Sequence, residues 1–343
     1  MLFHAYSAYG SVEPSETETL LSKIFAYGWL GVNLFFSISG YVIYMSLLKS
    51  KNFFTFGFAR YLRLAPAMLL ASILIYVSSF YIVERPLGPA KLVDILPSLT
   101  FIGPGLLSRI FDIEIKSLDG AFWSLYVEVK FYILVSILYF FLNDKKLHGL
   151  SVMFVSWIVL SAISEILKPD YLIVEQVLKI LDYCEPGYFG WFLIGVFAYK
   201  YHTKKKLLNL LLLLITSVLA ILSIEYDNIG VLLIGPIVVV VFILPIFSRL
   251  FNKWLTFRFF IFFGYISYPL YLIHQNIVTG LAIKSYNFFP YFPSLLYPIP
   301  FIGVVILIAL FITRIEPYIK NKLIRILPKK LFGIQIIFKS SSN

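Results

Sequence analysis

Apolar residues in this chain come in continuous blocks of about 15 to 23, broken by short clusters of charge, rather than in the alternating or one-faced patterns of soluble strands and helices. "LLNLLLLLITSVLAILSI" (207–224) and "VLLIGPIVVVVFILPIF" (231–247) are near the length at which a helix crosses ~30 Å of hydrocarbon. Where no water can satisfy the backbone, helix is what such a block must form. The pattern predicts nine full spans, at 28–48, 65–83, 121–142, 150–167, 187–201, 207–224, 229–247, 259–281 and 299–316. The fold class is therefore all-α, a polytopic transmembrane bundle, with one domain over 1–343 and a basic tail at 317–343. Ahead of these spans stands "MLFHAYSAYG", apolar enough for the membrane but only ~15 Å long as helix. It reads as the outer half of a first, tenth helix.

Composition agrees: 60% of residues are hydrophobic and 14% charged, which excludes an ordinary soluble domain. A net charge of +11 would suit nucleic acid if the basic residues were clustered on one surface. Instead they lie in short runs between apolar blocks, so no nucleic-acid partner is expected and topology is the better account. With residue 10 placed outside and span-end residues counted with the adjoining loop, the inner segments hold 20 basic residues against the two acids Asp144 and Glu316, and the outer segments hold eight basic residues against 15 acids. That bias puts the C-terminus in the cytoplasm and makes the long connection 84–120 an outer loop. The lone cysteine, Cys184, allows no intrachain disulfide, and no metal-binding cluster is evident. No internal repeat of the kind common in transporters is found.

Four stretches depart from plain spans. In "GWLGVNLFFSISGYVIY" (28–44), Asn33, Ser37 and Ser39 interrupt an apolar helix, as small polar residues do where helices pack closely. "FARYLRLAP" (58–66) places Arg60 and Arg63 on one face at the inner boundary, where they suit either phosphate binding or simple anchoring, followed by a Pro able to open the next span. "DGAFWSLYVEVKFY" (119–132) puts Glu128 below the interfacial Trp123, with Tyr132 one turn further on the same face. A carboxylate there costs a few kcal/mol on insertion scales and must find a partner. "GYISYPLYLIHQN" (264–276) aligns Ser267, Tyr271, His274 and Gln275 on one face, with His274 at the outer depth expected for His4. The remaining histidines, His148 and His202, neighbour lysines and are expected to be solvated.

Together, "GVNLFFSISGYVI", the RxxR pair, "WSLYVEVKFY" and "ISYPLYLIH" resemble, in order and interval, the acyltransferase 3 family of bacterial membrane proteins, over His4 to about Glu316. The resemblance implies a stand-alone enzyme of the bacterial cytoplasmic membrane. Such an enzyme moves an acyl group, most often acetyl, from cytoplasmic acyl-CoA to a hydroxyl of a surface polysaccharide or lipid-linked glycan. Acyl-CoA would be a substrate, with no bound cofactor and no metal.

Carried over to this sequence, the resemblance makes His4 and Glu128 catalytic and gives Arg60 and Arg63 to acyl-CoA at the inner face. His4 would be the base, Glu128 would orient or stabilise its imidazole, and a hydroxyl such as that of Tyr271 would steady the oxyanion. Asn33, Ser37, Trp123, Tyr132, Tyr271 and His274 would support the pocket. The family pattern also carries a basic residue eleven positions before the histidine, which would precede Met1, so the natural protein is expected to begin earlier. The rival readings are a transporter or flippase for lipid-linked sugars, in which buried polar groups line a path, and an inactive homologue.

Overall fold

The structure, a computed structural model, describes residues 1–7, 20–142, 148–167, 176–179, 182–224 and 228–326. Among the described residues there is no strand. The helices of the bundle are α1 (Leu2–Tyr6), α2 (Leu20–Phe25), α3 (Gly31–Lys49), α4 (Phe53–Ser78), α5 (Leu96–Thr100), α6 (Pro104–Phe111), α7 (Trp123–Leu142), α8 (His148–Leu167), α9 (Phe189–Lys204), α10 (Leu207–Leu222), α11 (Ile229–Phe247), α12 (Arg249–Leu255), α13 (Arg258–Phe288) and α14 (Pro298–Ile326). Each of the nine expected blocks corresponds to a helix in this set. Five segments are long and apolar enough to cross a membrane, or six if α12 and α13, bent by 69°, count as one. The chain is therefore a multi-pass helical membrane protein. Its count of nine or ten spans stays a sequence expectation. Of the basic tail, 317–326 continues α14, and the rest lies outside the described residues, as do Asp144, Lys145 and Lys146.

Several expected boundaries move, the start of α4 furthest. α4 begins at Phe53 rather than near residue 65, because Asn52 and Thr55 form a reciprocal cap: Thr55 N–H donates to Asn52 Oδ1 at 2.9 Å and Asn52 N–H to Thr55 Oγ1 at 3.1 Å. Pro66 lies inside this helix and does not open it. Arg60 and Arg63 are therefore inside the helix, ~10 and ~15 Å along it from its first residue.

The connection between α4 and α7 is also no simple outer loop. The Phe101 ring lies 6.0 Å from that of Tyr61, and Thr100 and Phe101 share a groove with Tyr132 and Ser136. Those α7 residues stand ~13 to 20 Å below Trp123 along the helix, so α5 folds back deep against α4.

The core is closed by backbone contact between α3 and α9. A Cβ on Gly40 would overlap the Phe192 carbonyl, and one on Gly195 would overlap the Ser37 carbonyl. Only hydrogen at both positions lets the two helices approach this closely, as small residues do in membranes generally. Phe36, Phe131 and Phe192 stack beside the crossing, with ring centroids 4.6 Å apart for Phe36–Phe192 and 4.2 Å for Phe131–Phe192. We expect Gly195→Ala to destabilise the protein by about 3 kcal/mol, since backbone atoms on both sides cannot yield. Gly303→Ala, whose Cβ would meet nothing within 4 Å, should be silent. Melting curves of the detergent-solubilised variants check both.

Candidate active site

The site is assembled by a seam between the start of α7 and the middle of α13. Asp119, with no exposed surface, caps the turn that opens α7: its Oδ1 accepts from Ala121 N–H at 2.8 Å. Its Oδ2 reaches across to accept from Asn276 N–H at 3.3 Å. Asn276 Nδ2 and Arg85 Nη2 both donate to the Leu118 carbonyl, at 2.9 and 3.1 Å. Gly120 leaves the space that Gln275 fills, since a Cβ there would overlap the Gln275 amide. Burial pushes the Asp119 carboxyl up to about 7, while the Ala121 and Asn276 donors and the Arg85 charge pull it back. The sequence reading passed over Asp119, Arg85 and Asn276. The Asp-Gly pair just before a helix was the available signal, being a capping pattern with a residue that leaves room.

This seam fixes Tyr271 and His274. The Tyr271 hydroxyl donates to the Ala121 carbonyl at 2.8 Å and lies 2.7 Å from Ser124 Oγ. Its single proton is committed to a backbone acceptor, so it positions α13 instead of serving as the expected oxyanion donor. His274 Nδ1 lies 2.7 Å from the Tyr271 carbonyl. A carbonyl only accepts, so Nδ1 carries the hydrogen and Nε2 holds the lone pair.

α1 docks alongside. Thr279 Oγ1 donates to the His4 carbonyl at 3.3 Å, Tyr6 donates to the Leu295 carbonyl at 3.3 Å, and Phe3 seats on Gly28. His4 thereby comes to His274, with ring centroids 5.1 Å apart and planes tilted by 52°. Both rings line a cavity of about 310 Å³ whose walls include Trp29, Phe35, Trp123, Tyr268 and Tyr271. Trp123, 38% exposed at the head of α7, stands at its rim.

Glu128 belongs to a second cluster. It has no exposed surface, and its Oε1 accepts from Ser39 Oγ and from Tyr132 Oη, both at 2.7 Å. The charges acting on it are those of Arg63 and Arg60. The expectation that Glu128 orients the His4 imidazole is thus corrected, because the carboxylate is bound by α3 and α7 hydroxyls and compensated from α4. Arg60 is partly buried, with Nε and Nη1 lacking a hydrogen-bond partner among the described residues, and it lines a groove of about 160 Å³ with Phe56, Phe101 and Tyr132. Arg63 is exposed.

Between the two clusters stands Tyr268. It lines the histidine cavity, donates to the Leu64 carbonyl at 3.0 Å, and feels the charges of Glu128, Glu316 and Arg63.

Of the supporting residues, Ser37 closes a bond to the Asn33 carbonyl at 3.1 Å within its own helix, while Ser39, two positions on, faces Glu128. Asn33 lines a neighbouring cavity with Trp123. His202 is not merely solvated, since its Nδ1 lies 3.1 Å from the Tyr41 hydroxyl. The side chain of His148 lies outside the described residues.

A 172-residue stretch is 29% identical to an O-acetyl transferase of Shigella phage Sf6, covering 48% of this chain and 50% of that protein. The chain thus aligns with about half the length of that relative. No solved structure matches. The family model described as "Acyltransferase domain" matches residues 1–314, which takes in both histidines, both arginines and Glu128. By that match over most of its length, the chain belongs to the acyltransferase 3 family.

Proposed function

We propose that the chain transfers an acyl group, acetyl in the simplest case, from acyl-CoA to a hydroxyl of a surface polysaccharide or lipid-linked glycan. The observation that carries this is the imidazole pair His4–His274, held in a cavity on one side of Tyr268 with an arginine-bearing cluster on the other. The histidine cavity lies at the end of the bundle opposite its lysine-rich helix termini, which include Lys49 and Lys204. Positive charge marks the cytoplasmic side of membrane proteins, so donor would enter at the basic end and acceptor at the other.

The chemistry follows from these positions. A sugar hydroxyl is a weak nucleophile at neutral pH, and His4 takes its proton as the oxygen attacks the thioester carbonyl carbon. The imidazolium so formed faces the His274 ring, whose Nδ1–H is turned to the Tyr271 carbonyl, so that the lone pair at Nε2 is left for a role that Glu128 was expected to fill. Collapse of the tetrahedral intermediate breaks the C–S bond, and the thiolate leaves with the proton returned by His4. Arg60 and Arg63 suit the donor's phosphates: Arg60 has unused guanidinium N–H groups and Arg63 is exposed at the surface of the bundle. Glu128 holds that pair in place and balances its charge before the donor arrives.

Mass spectrometry of surface glycans from cells with and without the chain tests the proposal. Acetyl content that tracks the chain supports it, and identical content contradicts it.

Three variants probe the parts. His4→Ala should lower transfer by about 100-fold or more while the protein still accumulates in the membrane, as loss of a general base does. Near-normal transfer would remove His4 from the chemistry. Glu128→Gln keeps an oxygen for Ser39 and Tyr132 but loses the charge, so turnover should fall by about tenfold with folding intact. Unchanged turnover would make the residue one of packing alone. Arg60→Ala should raise KM for acyl-CoA by about tenfold, with Arg60→Lys recovering part of it. A change confined to the acceptor would put the arginine on the wrong substrate.

A further inference from the structure

Next to the histidine cavity is a second one, of about 470 Å³, which shares the Trp29 and Trp123 rings with it and extends to Trp157, Asp182, Glu185 and Tyr188. We infer that this second cavity binds a neutral pyranose unit of the acceptor and presents it to His4 and His274. The inference rests on the acyl-transfer reading for its biological role, but the site itself is argued from its own chemistry.

Three tryptophans and a tyrosine in one recess supply flat faces. The Trp123 and Tyr188 rings lie 4.9 Å apart with planes at 47°, forming a V instead of a closed stack. Trp157 sits on the bare backbone of Gly187, where an added Cβ would come within 2.9 Å of its ring. Aromatic faces carry negative potential and take the weakly positive C–H face of a sugar ring.

Hydrogen-bonding groups complete the recess. Asn33 is 1% exposed, and its Nδ2 has no hydrogen-bond partner among the described residues. Such a donor, buried against a cavity, calls for an acceptor from a ligand. Glu185 takes the left-handed backbone region at φ 53°, which is uncommon for a residue with a Cβ and turns the chain into the Pro186–Tyr188 turn. Its Oε1 pairs with Lys130 Nζ at 3.0 Å, while its buried Oε2 has no partner among the described residues. Asp182 Oδ1 accepts from Trp157 Nε1 at 2.8 Å, which fixes both side chains.

An aromatic recess with two carboxylates also resembles the cages that hold quaternary ammonium groups. Here, however, the Glu185 charge is already met by Lys130 and Asp182 is engaged by the indole. What is left over is one amide donor and carboxylate acceptors, a pattern that suits the hydroxyls of a neutral sugar.

The test is saturation-transfer NMR on the full chain in detergent micelles, with the methyl glycosides of glucose, galactose and rhamnose as probes and choline as the cationic control. At least one glycoside should receive saturation at its ring C–H protons, and choline should receive none. Trp157→Ala should reduce the signal at least fivefold, and Trp157→Phe should recover part of it. If Trp157→Ala does not elute as a monodisperse species, Gly187→Ala, which crowds the same ring without deleting it, should give the same loss. No glycoside signal from the wild-type chain, a signal from choline alone, or full binding by the variants would overturn the inference. Glycoside binding in a chain that transfers no acyl group would retire the transferase reading and keep the site. Transfer by a chain that fails to bind these probes at this cavity would do the reverse.

Discussion

The Glu128 carboxylate sets the constraint around which the bundle is arranged. Taking an ionised carboxylate out of water costs several kcal/mol even after relaxation, and that cost must be offset by donors and opposite charge within a few ångströms. Ser39 on α3 and Tyr132 on α7 supply the donors, and Arg60 and Arg63 on α4 supply the charge. Three helices are thereby held in one register by a single side chain. The same requirement draws the arginines inward along α4, leaving Arg60 with unused N–H groups at a depth where lipid would not tolerate them.

The histidine end is built by different means. Among the described residues, no ion pair holds His274. Its ring is aimed by the Tyr271 carbonyl, and Tyr271 is in turn tied to the Ala121 carbonyl. The seam from Leu118 to Ser124 therefore carries the geometry of α13, and Asp119, Arg85 and Asn276 hold that seam. α1 adds His4 through backbone contact with Thr279. Tyr268 stands between this rigid outer assembly and the charged cluster, the position through which a thioester must pass if donor and acceptor approach from opposite ends.

Much of this was legible in the sequence. Apolar block length located nine helices, because a span must be helical and long, and the family motifs marked the two histidines, the arginines and Glu128. Partnerships were legible within a helix and not between helices. Helical spacing put Tyr132 beside Glu128, where it donates to the carboxylate, but the pairing of Glu128 with His4 did not allow for helix rotation, which turned Glu128 toward Ser39 and the arginines. Pro66 suggested a helix start, which put both arginines ahead of the span and not within its helix. The Asn52–Thr55 cap overrode that signal, twelve residues before Arg63's neighbouring apolar run was thought to begin. The inward fold of α5 escaped notice for a plainer reason: a segment of five residues is too short for any periodicity to declare its depth.

The central claim is that donor and acceptor meet inside the bundle from opposite faces. The direct measurement supplies isotopically labelled acetyl-CoA to sealed membrane vesicles of known orientation and follows label into glycan. The account predicts labelled glycan only when acetyl-CoA is on the face that carries the lysine-rich helix ends, with label recovered on the opposite face. Equal labelling from either face, or label confined to the face where acetyl-CoA was added, would contradict it.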